Sequence, residues 1–397
     1  MKQDFLYGII GYNSINIGDE IQDLAAMRFL PQVDEVVYRE QINSFVPKSE
    51  GKLQTKLIMN AWWMWKPENF LPSGYIEPLL VSMHIRPEIQ KQFMNKKVKK
   101  YLTQKGPVGC RDMNTYRWLK EENIPAYFSG CLTTTLLRNP NIPRENYILC
   151  VDVSKEYVDE IKKYTSRPVY TINRMMSPCY SFENRLELAK LTLRAYHNAH
   201  LVISPRLHVI TPCLAMETPV LRLITNEIKS NISSTSRYEG MEHFFNTVEE
   251  DDFIELIHSY DFEHPKQNPQ NHLEMRNNLI KICSEFTGFD SQKSILDEYD
   301  NPLVKTLQIN EYSPKIANKM LYFAPSKELK RTWIKRKLGY TKFHLVDGMK
   351  LNMKKNSLFL KLKLLKYNLA LKNTSDAKNR VRLEDKIKQT KVLLGNK

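Results

Sequence analysis

The chain has no C-x-x-C pair among its six cysteines, which stand at 110, 131, 150, 179, 213 and 283. That spacing excludes the usual zinc and dithiol patterns and leaves free thiols of a reducing compartment. No apolar run reaches 18 residues. The nearest, 207–224, holds Glu217, Arg222 and two prolines, so no segment reads as a membrane span. The opening MKQDFLYGIIGY is too short and too acid-interrupted for a secretory signal. No G-x-G-x-x-G fingerprint is present, and His, Asp and Cys fall at no metal-ligand spacing. Neither a metal nor a cofactor is expected, and the expected location is cytoplasmic.

Charge is also missing from most of the chain. Residues 331–397 carry 19 Lys+Arg and 4 Asp+Glu, whereas the preceding 330 hold 40 of each. The formal charge of +15 therefore resides entirely in the tail. A neutral body argues against a nucleic-acid partner with a basic cleft and for a separate interaction module. Within the tail, Leu358, Leu362, Leu365 and Leu369 form a helical stripe between lysines. Such a basic amphipathic helix fits an anionic membrane surface, or it packs on the body or on another subunit of an oligomer.

What is present is an apolar fraction of 42%, enough for a globular chain. Strands are predicted at 5–12, 34–39, 56–61, 78–85, 107–111 and 126–130, with helices at 19–30, 87–104 and 113–122. After the break Arg138-Asn139-Pro140-Asn141-Ile142-Pro143 the alternation resumes. Strands are predicted at 146–153, 167–172, 199–204 and 219–224, and helices at 155–165, 182–198 and 207–217. Alternating strands and helices give an α/β fold with parallel sheets. Two Rossmann-like lobes facing a cleft are expected, at 1–138 and 139–300, with a basic helical extension at 301–397. In such sheets the ligand lies at the carboxyl ends of the strands.

Three strand ends carry chemistry. In Asn16-Ile17-Gly18-Asp19-Glu20 two carboxylates open a helix, where the dipole favours them; Asp19 sits at the end of the first strand. Arg111 closes another strand, with Asp112 as a natural N-cap. Arg111 either pairs with a nearby carboxylate or points at the cleft. The third is Ser204-Pro205-Arg206-Leu207-His208, inside an otherwise apolar run. A lone histidine there reads as a packed core residue. An arginine fork beside it, at a helix entry, favours an anion site. Lys229 follows the next strand and is expected to extend that cationic group.

Taken together, N-x-G-D-E at 16–20, R-D at 111–112, SGCLTTTL at 129–136 and R-L-H followed by PCLAMETPV resemble the polysaccharide pyruvyl transferase family over about residues 8–230. The resemblance implies a glycosyltransferase-B-like fold. It also implies transfer of a pyruvyl group from phosphoenolpyruvate to a sugar hydroxyl pair, forming a ketal. The acceptor would be a cell-surface polysaccharide or its polyprenyl-diphosphate-linked precursor. Position by position it makes Arg111, Arg206 and Lys229 the phosphoenolpyruvate ligands, with phosphoenolpyruvate as donor substrate rather than cofactor. His208 is the expected acid, suited by its ordinary titration range. Asp19 is expected as base or acceptor orienter.

The chain departs from the family pattern in three places. ITNEIK replaces the usual Y-D-x-K, and Glu217 stands where a small residue is common. Asn60-Ala61-Trp62-Trp63-Met64-Trp65 replaces a Gly-rich turn. Asn16, Trp62 and Trp63 are the expected acceptor contacts, the tryptophans serving either as sugar-stacking surfaces or as ordinary packing. A nucleotide-sugar glycosyltransferase and a non-catalytic member of the same fold are the competing readings. The cations are expected to face solvent rather than a carboxylate.

Overall fold

A computed structural model describes residues 5–48, 53–176, 180–296 and 305–307, with Glu384 and Ile387. Most of the basic extension at 301–397, its leucine stripe included, lies outside the described residues. The chain divides into two units, 1–321 and 322–397; everything below concerns the first.

Eight strands precede residue 138: β1 (Leu6–Gly11), β2 (Glu35–Tyr38), β3 (Thr55–Ile58), β4 (Trp62–Trp63), β5 (Ile76–Leu79), β6 (His84–Ile85), β7 (Val108–Cys110) and β8 (Ala126–Phe128). Four of them form a parallel sheet in the order β2-β1-β3-β5, while β4 pairs with β6 and β7 with β8, also in parallel. The single strand predicted at 78–85 is two. Leu79 ends β5, Ser82 turns the backbone through φ 50°, and β6 starts at His84. The helix predicted at 87–104 also breaks, because Asn95 caps a new helix, Lys96–Lys105, through its side chain.

Beyond residue 145 come β9 (Ile148–Val151), β10 (Val169–Ile172), β11 (Leu201–Ser204), β12 (Val220–Ile224) and β13 (Asn246–Glu249). They form a second parallel sheet in the order β10-β9-β11-β12-β13. The unbroken buried runs of β9 and β11 are what parallel strands covered on both faces require. The strand β13 and the short β4 escaped the sequence reading. One hydrophobic cluster holds Ile21 and Leu24 of the first helix, Leu132 and Leu136, Leu193 of the Phe182–Asn198 helix and Ile210. A buried ion pair, Glu20 with Arg185, links the Ile17–Met27 helix to the Phe182–Asn198 helix. Five cysteines, 110, 131, 150, 213 and 283, are free and buried. Among the described residues no helix is long and apolar enough to cross a membrane.

Candidate anion site

The site is built around the start of the Ile17–Met27 helix. Asn16 caps it, accepting from the Gly18 N–H at 3.2 Å. The same turn is stitched to the segment after β10: Ile17 N–H donates to the Arg174 carbonyl at 3.0 Å, and Met176 N–H to the Ile15 carbonyl at 2.7 Å. A β-carbon on Gly18 would lie 2.9 Å from His208 Nδ1 and 3.0 Å from its Cβ. Only glycine lets that imidazole approach the helix start so closely.

His208 lies just inside the Leu207–Ala215 helix, whose first turn is irregular at this residue (φ −80°, ψ 21°). Arg111, buried, places its Nη1 3.5 Å from His208 Nε2 and donates to Gln22 Oε1 at 3.3 Å. Its Nε has no hydrogen-bond partner among the described residues. Burial lowers the His208 pKa well below the usual histidine value, helped by the charges of Arg111, Arg237 and His84. The imidazole is therefore neutral, with Nε2 accepting from Arg111.

Arg206 contradicts the expectation that it meets no carboxylate. Its Nε donates to Asp152 Oδ2 at 2.7 Å, yet its side chain stays 30% exposed against 10% for Asp152. Asp152 also accepts from Arg174 Nη1. The aspartate follows β9 directly and holds φ at 55°, a left-handed backbone that costs a non-glycine residue about 1 kcal/mol. Arg237 completes the group. Its Nε donates to the Ser233 carbonyl at 3.2 Å. Burial, then Arg111, Arg206 and Arg174, bring its pKa down to about 10. A depression of this kind marks a buried cation set near other cations with too little negative charge.

Several expected residues fall elsewhere. Lys229 is exposed and pairs with Glu249 at 2.5 Å and Asp251 at 3.7 Å; no contact joins it to the arginines among the described residues. Asp19 is buried, accepts from Ser14 Oγ at 2.6 Å and lies in the field of Glu20 and Asp23. It offers no exposed oxygen to an acceptor. Trp63 is a core residue with its ring edge-on to Phe70, so it has no free face for a sugar. Trp62 is covered by the guanidinium of Arg39 at 4.0 Å, with that of Arg86 at 5.1 Å. Trp65, 64% exposed, presents the open indole of this segment. Asn16 is committed to its helix cap.

Sequence reasoning missed Asp152, Arg174, Arg237, Gln22 and His84. The strand-end rule could have found the first two, since Asp152 lies at the end of the strand predicted at 146–153 and Arg174 two residues beyond the one predicted at 167–172. Arg237 follows no strand, and nothing local marks it.

Comparison with known proteins bears out the resemblance read from the motifs. Residues 69–227 match the family model for polysaccharide pyruvyl transferase, a span that includes Arg111, Asp112, Arg206 and His208. No curated protein matches the chain. Among solved structures, a functionally uncharacterized protein from Klebsiella pneumoniae is similar, with 15% identity, a TM-score of 0.37 and coverage of 62% of this chain and 92% of the other.

Proposed function

We propose that this chain, with residues 69–227 matching the polysaccharide pyruvyl transferases, transfers the pyruvyl unit of phosphoenolpyruvate to a hydroxyl pair of a saccharide, forming a pyruvate ketal. One observation carries the reading. Arg111 and Arg237 act on His208, Arg206 and Arg174 act in turn on Arg237, and Asp152 is the carboxylate that neutralises part of the group's charge. A crowd of guanidiniums is costly when dry and unpaired. A ligand bearing both phosphate and carboxylate would relieve it.

Arg206 offers a planar guanidinium fork for either anion, and Arg111 reaches in from the end of β7. The anion's charge would also reverse the electrostatics at His208. Beside a phosphate the imidazole gains a proton, which it delivers to the methylene carbon of phosphoenolpyruvate. The carbon bearing the phosphate then becomes oxocarbenium-like and open to a sugar hydroxyl. Guanidiniums already in place stabilise the departing phosphate without reorganising.

The two parallel sheets supply strand ends to one site, which supports the two-lobe, glycosyltransferase-B-like reading. The tail's charge supports attachment to an anionic leaflet, where a lipid-diphosphate-linked acceptor resides. Calorimetric titration with phosphoenolpyruvate, against uridine and guanosine diphosphate sugars, tests the donor. Phosphate release with a saccharide acceptor then tests the transfer. Binding of a nucleotide sugar in place of phosphoenolpyruvate would overturn the proposal.

A further inference from the structure

Residues 237–240 enter the site described above only through Arg237, yet the segment is bonded to both of its sides. It is a turn closed on itself: Tyr238 N–H donates to the Thr235 carbonyl at 3.0 Å, and Met241 N–H to the Tyr238 carbonyl at 2.8 Å. On one side the buried Tyr238 hydroxyl donates to the Pro205 carbonyl at 2.6 Å. That carbonyl belongs to the peptide leading into Arg206. The Arg206 N–H is itself held by Ser204 Oγ at 3.1 Å, and Ser204 donates onward to the Val151 carbonyl at 2.9 Å, just before Asp152. The guanidinium of Arg222, on β12, lies 3.9 Å over the Tyr238 ring and steadies it.

The other side meets the chain beside Arg111. Met113 N–H, two residues past Arg111, donates to the Glu239 carbonyl at 2.9 Å. Gly240 follows with φ 90°. A β-carbon there would lie 2.6 Å from Met113 Cγ and 3.1 Å from the Phe128 ring, so both conformation and close approach call for glycine. The turn thus joins the peptide before Arg206 to the helix start after Arg111. The strands preceding these two arginines, β11 and β7, lie in different sheets and do not pair with each other. Strand pairing therefore leaves their separation to other contacts, and this turn is one that spans it.

We propose that the Tyr238–Gly240 turn sets the span between Arg111 and Arg206, and so makes the site select a ligand with two linked anionic groups over one with a single group. This rests on the pyruvyl-transfer reading, in which phosphoenolpyruvate brings both a carboxylate and a phosphate. A ligand with two linked anions gains fully from its second contact only where the two partners are held at the matching distance. Inorganic phosphate makes its contacts through one group and is indifferent to that distance. Tyr238 is on this account a positioning residue, acting on Arg206 through the Pro205 peptide.

Tyr238→Phe removes the hydroxyl and keeps the ring beneath Arg222. Titration calorimetry should then show phosphoenolpyruvate binding weakened about tenfold or more, with inorganic phosphate binding unchanged within about threefold. Gly240→Ala strains the opposite side of the turn and leaves the Tyr238 hydroxyl in place. It should give the same imbalance, and it answers the question if Tyr238→Phe does not fold. Equal weakening of both ligands in a folded variant would overturn the assignment, because the turn would then serve only the fold. Unchanged binding of both would overturn it as well. A parent protein that does not bind phosphoenolpyruvate would instead sink the transfer reading on which the turn's role rests.

Discussion

Asp152 accepts from Arg206 Nε at 2.7 Å, while the Arg206 side chain stays 30% exposed. An arginine anchored on one edge is oriented for a ligand on the other. Lysine at 206 keeps the charge but loses the anchor and the fork. Arg206→Lys should weaken phosphoenolpyruvate binding by about tenfold or more, equivalent to roughly 1.4 kcal/mol. Titration calorimetry reads this directly, and unchanged affinity would mean that Arg206 serves only to balance Asp152.

His208 is neutral because burial and Arg111 hold its pKa below the usual value. A bound dianion favours the protonated ring, so binding of phosphoenolpyruvate near pH 7 should take up a proton. Calorimetry in buffers of different ionisation enthalpy measures that uptake. It should disappear in His208→Gln, which should still bind the donor and turn over at least about 100-fold more slowly.

Asp23 lies buried with neither carboxylate oxygen hydrogen-bonded among the described residues. Burial, with Glu20 and Asp19 adding to it, raises its pKa well above the ordinary aspartate value, while Arg185 and Arg39 pull the other way. The folded state thus holds this proton after the unfolded chain has released it. Its contribution is complete below about pH 4, the unfolded aspartate value, and declines as pH rises from there toward the raised folded value. Asp23→Asn removes the titration. The variant should gain stability relative to the parent between pH 5 and pH 8, as measured by urea unfolding at both. An equal difference at the two values would contradict it.

Glu217 occupies φ 59° immediately after the Leu207–Ala215 helix and its cap Met216, where glycine is the usual residue. Its pair with Arg138, at 2.8 Å, is on the surface and contributes little. Glu217→Gly should stabilise the protein by about 0.5–1 kcal/mol, with catalysis unchanged. Chemical denaturation would show it. The family's small residue at this position thereby acquires a backbone reason.

The legible part of the fold was the part written locally. Strand and helix order followed from apolar periodicity and turn residues, and the strands β9 and β11 lay where buried runs placed them. The division of 78–85 into two strands was not legible, because it depends on the Ser82 backbone turn. Nor could composition separate Trp63, enclosed by Phe70, from the exposed Trp65 two residues on.

The sequence by itself determined the α/β alternation and the motif pair Arg111 and Arg206-Leu207-His208, which the family match takes in. Tertiary structure alone decided their company. It brought Arg111 to His208 across 97 residues and Asp152 to Arg206 across 54. It added Arg174 and Arg237, and removed Lys229 to the acids at 249 and 251. The physical reason is that hydrophobic patterning acts between near neighbours along the chain, whereas the charge state of a buried group is set by whatever the fold places around it.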